Sequence, residues 1–430
     1  MKKRTQFIAS LVLLTILFTF VFPFANLPAY AQDEPILQAE AAILVDAVSG
    51  KILYEKNSEA LLGVASMSKM MTEYLVLEAI KSGSITWNQN VTIDESVHKL
   101  SEVPGLSNIV LKQGEPYTVK ELYEAMAIFS GNAAAAALAQ LIGGTEKDFV
   151  ILMNEKAAEL NLKDYKFVNA SGLNNSDLPY PYPAGEQNDE NLMSARAAAR
   201  LAYYLLSDYP EVLDTAKKPS LLFKDGKTYP NSNWMLPGLI AEYHGVDGLK
   251  TGYTGFAGNC FTGTAERNGT RYLSVVMHAE TRLSRFSETE KLLNYAFHNF
   301  SAEEIIEKGH PVATMSVPNG KETSVTVETD AALNVIIKQG EKESLKTKLV
   351  LDPDMLDEDG NLTAPLNKGD KVGYLTLDFD SSDPGFLTEN GEQSIRVDVV
   401  VSETVEKANP LVLCIRFIGE FISNIWNHIF

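Results

Sequence analysis

Three short stretches carry side chains that could do chemistry together. The first is Ala65-Ser66-Met67-Ser68-Lys69-Met70-Met71-Thr72, at the head of an apolar run that ends near Ile80. On a helix, residues three apart are neighbours across a turn, so Lys69 would stand beside the Ser66 hydroxyl. A serine hydroxyl is a weak nucleophile until an adjacent base takes its proton. A lysine becomes that base when desolvation or a nearby cation lowers its pKa. Ser66 at the helix start also gains the end of the dipole that favours a developing oxyanion. The second stretch is Ser130-Gly131-Asn132, the only Ser-x-Asn in the chain. Ser130 can pass a proton to a leaving nitrogen and Asn132 can hold a substrate amide. The third is Lys250-Thr251-Gly252, where Lys250 and Thr251 can fix a carboxylate and Gly252 leaves room for a substrate lying along a strand.

Each stretch has a plain alternative. Ser96-Val97-His98-Lys99 repeats the Ser-x-x-Lys spacing in a polar surface segment, and Lys81-Ser82-Gly83 imitates the third motif while closing the Ser66 helix. Ser130-Gly131-Asn132 would also serve as a helix break, and Lys250-Thr251-Gly252 as a strand end. What separates the functional reading from these is the order of all three and their domain-scale spacing.

The elements that must position them are readable. Met67, Met70, Met71, Tyr74, Leu75, Val76 and Leu77 predict a buried helix. Ala41–Asp46 and Lys51–Tyr54 read as strands around the turn Val48-Ser49-Gly50. Leu122–Leu141 is helical with a break at Ser130-Gly131-Asn132, and Phe149–Leu160 and Met193–Leu206 are further helices. Asn174–Asn191 is polar, rich in proline and predicted to be a surface loop. Cys260–Ala265 and Arg271–His278 are strands joined through Asn268-Gly269, a strong hairpin signal, and Glu288–Phe300 is a closing helix. Beyond Ser301, Thr323–Val327, Leu333–Lys338, Lys348–Leu351, Val372–Leu377 and Ile395–Val401 alternate with turn residues, the pattern of a small β sandwich.

The chain of 430 residues opens with Lys2, Lys3 and Arg4, an apolar run from Phe7 to Phe24, and Ala29-Tyr30-Ala31. That is a secretory leader cut after Ala31, which places the mature protein outside the cytoplasm; a retained N-terminal anchor is the rival reading. Losing the leader takes the net charge from −19 to −22. So acidic a body excludes nucleic acid as a partner held by charge, and any anionic substrate must be held by a few local cations. Cys260 and Cys414 are too far apart in sequence to suggest a disulfide framework, and Cys260 reads as a small buried hydrophobe. The six histidines form no metal-spaced cluster, so neither metal nor cofactor is expected.

The three motifs together resemble the penicillin-recognising serine enzymes, and more narrowly the low-molecular-mass penicillin-binding proteins that are D-alanyl-D-alanine carboxypeptidases. Ala41-Ala42-Ile43-Leu44-Val45-Asp46, the run Val246–Thr254 and Ala257-Gly258 carry the likeness further. The resemblance implies an α/β serine peptidase domain, an antiparallel sheet flanked by helices, followed by a small all-β sandwich domain and a C-terminal amphipathic helix. The corresponding spans are 1–31 for the leader, 32–300, 301–408 and 409–430. It makes Ser66 the acylated nucleophile, Lys69 its base, Ser130 the proton relay and Asn132 a binder of the peptide backbone. Lys250 and Thr251 would hold the terminal carboxylate beside Gly252, and the N–H groups of Ser66 and Tyr253 would form the oxyanion hole. Arg285 would be a further carboxylate-binding cation, the alternative being an exposed arginine. The implied substrates are peptidoglycan stem peptides ending in D-Ala-D-Ala, trimmed so that cross-linking is limited and cell shape kept, and β-lactams are the implied inhibitors. The long Asn174–Asn191 loop depart from the family's pattern, as do Ser232 and Trp234, which stand where relatives can carry another arginine.

A β-lactamase remains an alternative, although the nearest approach to the Glu-x-x-Leu-Asn element of one class is Ala157-Ala158-Glu159-Leu160-Asn161, with alanine in the glutamate position. A catalytically idle wall-binding protein and a transpeptidase are the others. From Asn409 to Phe430, Leu411, Leu413, Ile415, Phe417, Ile418, Phe421, Ile422 and Ile425 outnumber a polar stripe of Arg416, Glu420, Ser423, Asn424 and Asn427. Arg416, Glu420 and Asn424 would stand inside a spanning helix at considerable cost. The tail is therefore expected to lie in the outer face of the cytoplasmic membrane, the alternative being an ordinary docking helix at the chain's end.

Overall fold

The Ser66 segment becomes a short 3₁₀ turn, Ala65–Ser68, that runs directly into a helix over Lys69–Lys81. In the computed structural model, residues 33–379 and 383–429 are described, without the side chains of 389–390 and 420–429. The predicted leader lies outside the described residues.

Five antiparallel strands form the sheet beside that helix. In chain order they are β1 (Ala41–Asp46), β2 (Ile52–Lys56), β3 (Val246–Thr254), β4 (Gly258–Arg267) and β5 (Thr270–Ala279). Their order across the sheet is β3-β4-β5-β1-β2. Strand β1 explains why its sequence is apolar without interruption. Ala41, Ile43 and Val45 face one core while Ala42 and Leu44 face another, so both sides of the sheet are covered.

On the first side lie α1 (Lys69–Lys81), α2 (Val119–Phe129), α3 (Asn132–Gly143), α4 (Glu146–Glu159) and α5 (Ala195–Asp208). Helix α3 is buried from Asn132 through Ala139, and its run of alanines lets neighbouring helices approach closely. On the other side α6 (Ser284–Asn299) packs Phe286, Leu292, Leu293 and Ala296 against the sheet. It begins four residues earlier than the sequence suggested, which places Arg285 on a helix and not in a connecting loop.

From Phe300 onward the chain is β-rich. Strands β6 (Phe300–Ile306), β7 (Pro311–Ser316), β8 (Ser324–Thr329), β9 (Leu333–Lys338), β10 (Lys346–Leu351), β11 (Lys371–Asp378) and β12 (Arg396–Val401) form two sheets. One pairs β6 with β9 and the other runs β7-β8-β12-β11-β10, both lining one core. The sequence reading missed β6 and β7. Their apolar stretches are short and mostly half covered, and the exposed Glu304 interrupts β6.

The Asn174–Asn191 segment is irregular, as expected, but it is a surface loop only in part. Asn175, Glu190 and Asn191 are buried at its two ends. The Asn191 amide oxygen accepts from Val168 N at 2.7 Å, and its Nδ2 donates to Asn169 O at 2.8 Å. The polarity that suggested solvent is used instead to tie the loop to its neighbours.

A last helix, α7, spans Pro410–Ile429. Leu411, Ile415, Phe417 and Ile418 are exposed on it. Arg416 is turned to the β-rich part and donates to the carbonyl oxygens of Pro318, Gly320 and Lys321 at 3.2, 2.7 and 2.8 Å. No helix among the described residues is long and apolar enough to cross a membrane.

Candidate active site

Ser66 sits on a backbone held out of the ordinary. Ala65, just before it, has φ of +45°, a left-handed conformation costly for a residue with a Cβ. Its carbonyl accepts from the Ser68 hydroxyl at 2.7 Å. Gly172 packs on the same carbonyl. A Cβ there would come 1.9 Å from Ala65 O, and Gly172 itself has φ of +79°. Only glycine fits at that contact.

Lys69 is fully enclosed, and its Nζ has three oxygen neighbours: Ser66 Oγ at 2.8 Å, Asn132 Oδ1 at 2.8 Å and Ser171 O at 2.6 Å. Two of these, an amide oxygen and a carbonyl, can only accept. A neutral amine has two N–H groups for them and one lone pair left, which then meets the Ser66 hydroxyl. Burial lowers the Lys69 pKa, the Lys250 charge lowers it further, and Glu73 opposes them. The arrangement can therefore take a proton from Ser66.

The Ser130-Gly131-Asn132 break serves the fold and the site at once. Ser130 closes α2 with φ of +64°, and its N–H and that of Gly131 both return to Ala125 O. The chain then turns into α3 with Asn132 at its head. No side chain of Gly131 can cap that helix. Instead Ser107 O receives both the Asn132 N–H and Nδ2, each at 3.0 Å, and Asn108 Oδ1 receives Ala133 N at 2.9 Å. The plain reading of a helix break and the chemical reading describe the same geometry.

Strand β3 brings the third motif across. Lys250 Nζ donates to Ser130 Oγ at 2.9 Å, and both side chains are buried. Burial pushes the Lys250 pKa down, Glu73 raises it and Arg285 lowers it. Gly252 rests on the Ser66 turn, where a Cβ would come 2.4 Å from Val64 O. Thr251 is buried while Tyr253 is 54 % exposed at the strand's end. Arg285 is buried, which rules out the exposed alternative. It donates to Gly252 O at 3.2 Å, and its Nε has no partner among the described residues. Burial pulls its pKa down to about 10.

Ser66, Lys69, Ser130, Asn132, Lys250, Thr251, Gly252 and Arg285 thus come from the Ser66 turn, the start of α1, the α2–α3 break, β3 and the first turn of α6. The decoys do not join them. On the helix Glu95–Glu102, Ser96 donates to Asp94 and Lys99 pairs with Glu95 at 2.6 Å. Ser82 donates to Ala79 O at the end of α1. Cys260 is buried and Cys414 exposed, both free. Burial pushes the Cys260 thiol up to about 11, in keeping with its reading as an inert small side chain.

Sequence reasoning missed several participants. Asn169 Oδ1 accepts from Ser171 N, Ser171 Oγ and Gly172 N at 3.2, 3.1 and 2.7 Å, and so aims the Ser171 carbonyl at Lys69. Ser107 contributes only a carbonyl, which no residue type announces. Glu73 is buried one turn beyond Lys69. The spacing of Lys69 and Glu73 along α1 could have drawn attention to it.

Two family models match the chain: "D-alanyl-D-alanine carboxypeptidase" over residues 29–281 and "Penicillin-binding protein 5, C-terminal domain" over 300–407. Among curated proteins, D-alanyl-D-alanine carboxypeptidase DacF of Bacillus subtilis is 31% identical over 423 residues, covering 97% of this chain and 98% of its own length. Among solved structures, the peptidoglycan synthesis regulatory factor of Streptococcus pneumoniae superposes with a TM-score of 0.71 at 35% identity, over 86% of this chain and all of the other. Penicillin-binding protein D2 of Listeria monocytogenes, solved in an ampicillin-bound form, does so with a TM-score of 0.53 at 34% identity, over 62% of this chain and all of the other.

Proposed function

The chain belongs to the D-alanyl-D-alanine carboxypeptidase family and is an enzyme of that serine class, and on that premise we propose how its cleft carries out the reaction. Ser66 Oγ attacks the carbonyl between the two terminal D-alanines of a peptidoglycan stem peptide while Lys69 takes its proton. The oxyanion is received by the backbone N–H groups of Ser66 and Tyr253. Ser130, oriented by Lys250, passes a proton to the leaving D-alanine nitrogen. Asn132 steadies both Lys69 and the peptide backbone. Lys250, Thr251 and Arg285 receive the terminal carboxylate, concentrating positive charge in an otherwise acidic protein. Water then releases the shortened peptide from Ser66. Trimming of this kind limits cross-linking of the wall.

The observation that carries this reading is the Lys69 environment, with two acceptor-only oxygens and the Ser66 hydroxyl around one buried nitrogen. β-Lactams would acylate the same serine, in line with the ampicillin-bound Listeria relative. A β-lactamase reading finds little support, because Glu159 lies at the surface, paired with Lys156 at 2.6 Å. The direct test compares a peptide ending in D-Ala-D-Ala with its C-terminal amide. D-Alanine should be released from the acid, and amidation should cost roughly a hundredfold in kcat/KM through loss of a charge-assisted contact. Equal rates on the two would overturn the carboxylate assignment.

The spans 32–300 and 301–408 are proposed as the peptidase and β domains. The leader would deliver them outside the cytoplasm, and 409–430 would hold them to the outer face of the membrane. The exposed apolar residues of α7 support this, and so does the use of Arg416 against carbonyls of the β-rich part, which spares lipid an unpaired charge. A protein ending before Asn409 should stay in the supernatant without detergent and keep full activity on D-Ala-D-Ala peptides. The full mature chain should need detergent, not salt, for release. Sedimentation of the truncated form with membranes would refute the anchor.

A further inference from the structure

The proposed reaction leaves a buried carboxyl of α1 without a task. It needs Lys69 neutral and Lys250 protonated in the same enclosed space, and two amines close together push each other toward losing their protons. Glu73 is the carboxyl placed between those demands. It is 3 % exposed, and it follows Lys69 by one turn on the same face of α1. No hydrogen bond to another described residue fixes it, so a burial this costly has only the lysines to offset it.

We propose that Glu73 is the counter-charge of the Lys69–Lys250 pair: a positioning residue that touches no substrate but holds Lys250 as the ammonium that receives the substrate carboxylate. The inference rests on the reaction proposed above.

The surroundings of Glu73 leave few rivals for the role. Strand β3 presents Lys250, and Lys69 stands on the same helix; burial pushes the Glu73 pKa up to about 7 while the Lys250 and Lys69 charges hold it down, so the carboxylate is charged on the alkaline side, where Lys250 needs it. Helix α2 contributes the Tyr123 hydroxyl, buried and without a partner among the described residues. Helix α3 contributes the neutral Asn132 amide, already held by Lys69 and Ser107. From α4 and α5, Lys156 and Asp208 reach α1 at other turns, on Glu78 and Tyr74. Glu73 is also the one group that raises the Lys250 pKa against burial and Arg285.

The test is the pH profile of kcat/KM for a D-Ala-D-Ala peptide in wild type, Glu73→Gln and Glu73→Asp. Removing the negative charge makes both lysines easier to deprotonate. Below about pH 7 Glu73 is itself largely protonated, so the acid limb moves little. Lys250 loses its proton at lower pH, so the alkaline limb moves acidward. The alkaline limb of Glu73→Gln should shift acidward by about one pH unit, with a loss there of roughly tenfold appearing in KM. Glu73→Asp keeps the charge and should keep the wild-type pH position even if slower. A Glu73→Gln profile lowered uniformly without a shift would overturn the proposal, as would an acidward shift in Glu73→Asp. Wild-type enzyme that neither releases D-alanine nor takes a fluorescent penicillin would instead refute the underlying reaction, and this inference with it.

Discussion

Ser66→Ala is expected to abolish covalent labelling by a fluorescent penicillin and to cut D-alanine release by about 10⁶-fold, the loss typical of removing a serine nucleophile. The fold should survive, because among the described residues the Ser66 hydroxyl meets only Lys69 Nζ and bears no part of the helix start. No neighbouring hydroxyl can replace it. Ser68 Oγ is committed to Ala65 O, and Ser130 Oγ is held by Lys250. Ser96→Ala, on the surface helix with the same Ser-x-x-Lys spacing, should label like wild type, since its lysine is paired with Glu95 and exposed. Labelling that persists in Ser66→Ala and disappears in Ser96→Ala would mean the wrong serine has been chosen.

The contrast between those two serines shows what the sequence could and could not reveal. Side-chain chemistry was legible as residue types at fixed spacing: Ser66 with Lys69, Ser130 with Asn132, Lys250 with Thr251. The helix around Met70 and Met71 and the hairpin at Asn268-Gly269 were legible because period and turn chemistry are local. What stayed hidden is made by partners distant in sequence. Lys69 is held by the carbonyl of Ser171, which is aimed by Asn169, which is tied by Asn191 at the end of a loop that reads as plain surface. Carbonyls carry no residue signature, and a polar loop buried at its ends looks the same as an exposed one. Arg285 posed the opposite difficulty. Its type suggested solvent or a carboxylate with equal ease, and only the early start of α6 decides that it is buried beside Gly252.

Gly252→Ala tests how closely the third motif must lie against the first. The backbone at Gly252 lies outside the left-handed region, so alanine would be tolerated there if only conformation mattered. Space forbids it. The added Cβ would sit 2.4 Å from Val64 O and 3.2 Å from Met67 N, both backbone atoms of the segment that carries Ser66. Neither can rotate away, so β3 and the Ser66 turn must part by a substantial fraction of an ångström. That displacement acts on everything the proposed chemistry requires at once. It moves Tyr253 N–H relative to Ser66 N–H, and it draws Lys250 from Ser130 and Gly252 O from Arg285. A shift of about 1 Å in a reacting geometry costs on the order of a hundredfold, and penicillin acylation and D-alanine release should both fall by at least that much. Stability should suffer far less, because the strand keeps its pairing with β4, where Gly252 lies opposite Cys260. Measuring the acylation rate beside the melting temperature separates the two. A variant that acylates at the wild-type rate would mean that contact between the strand and the serine turn is not what sets the catalytic geometry.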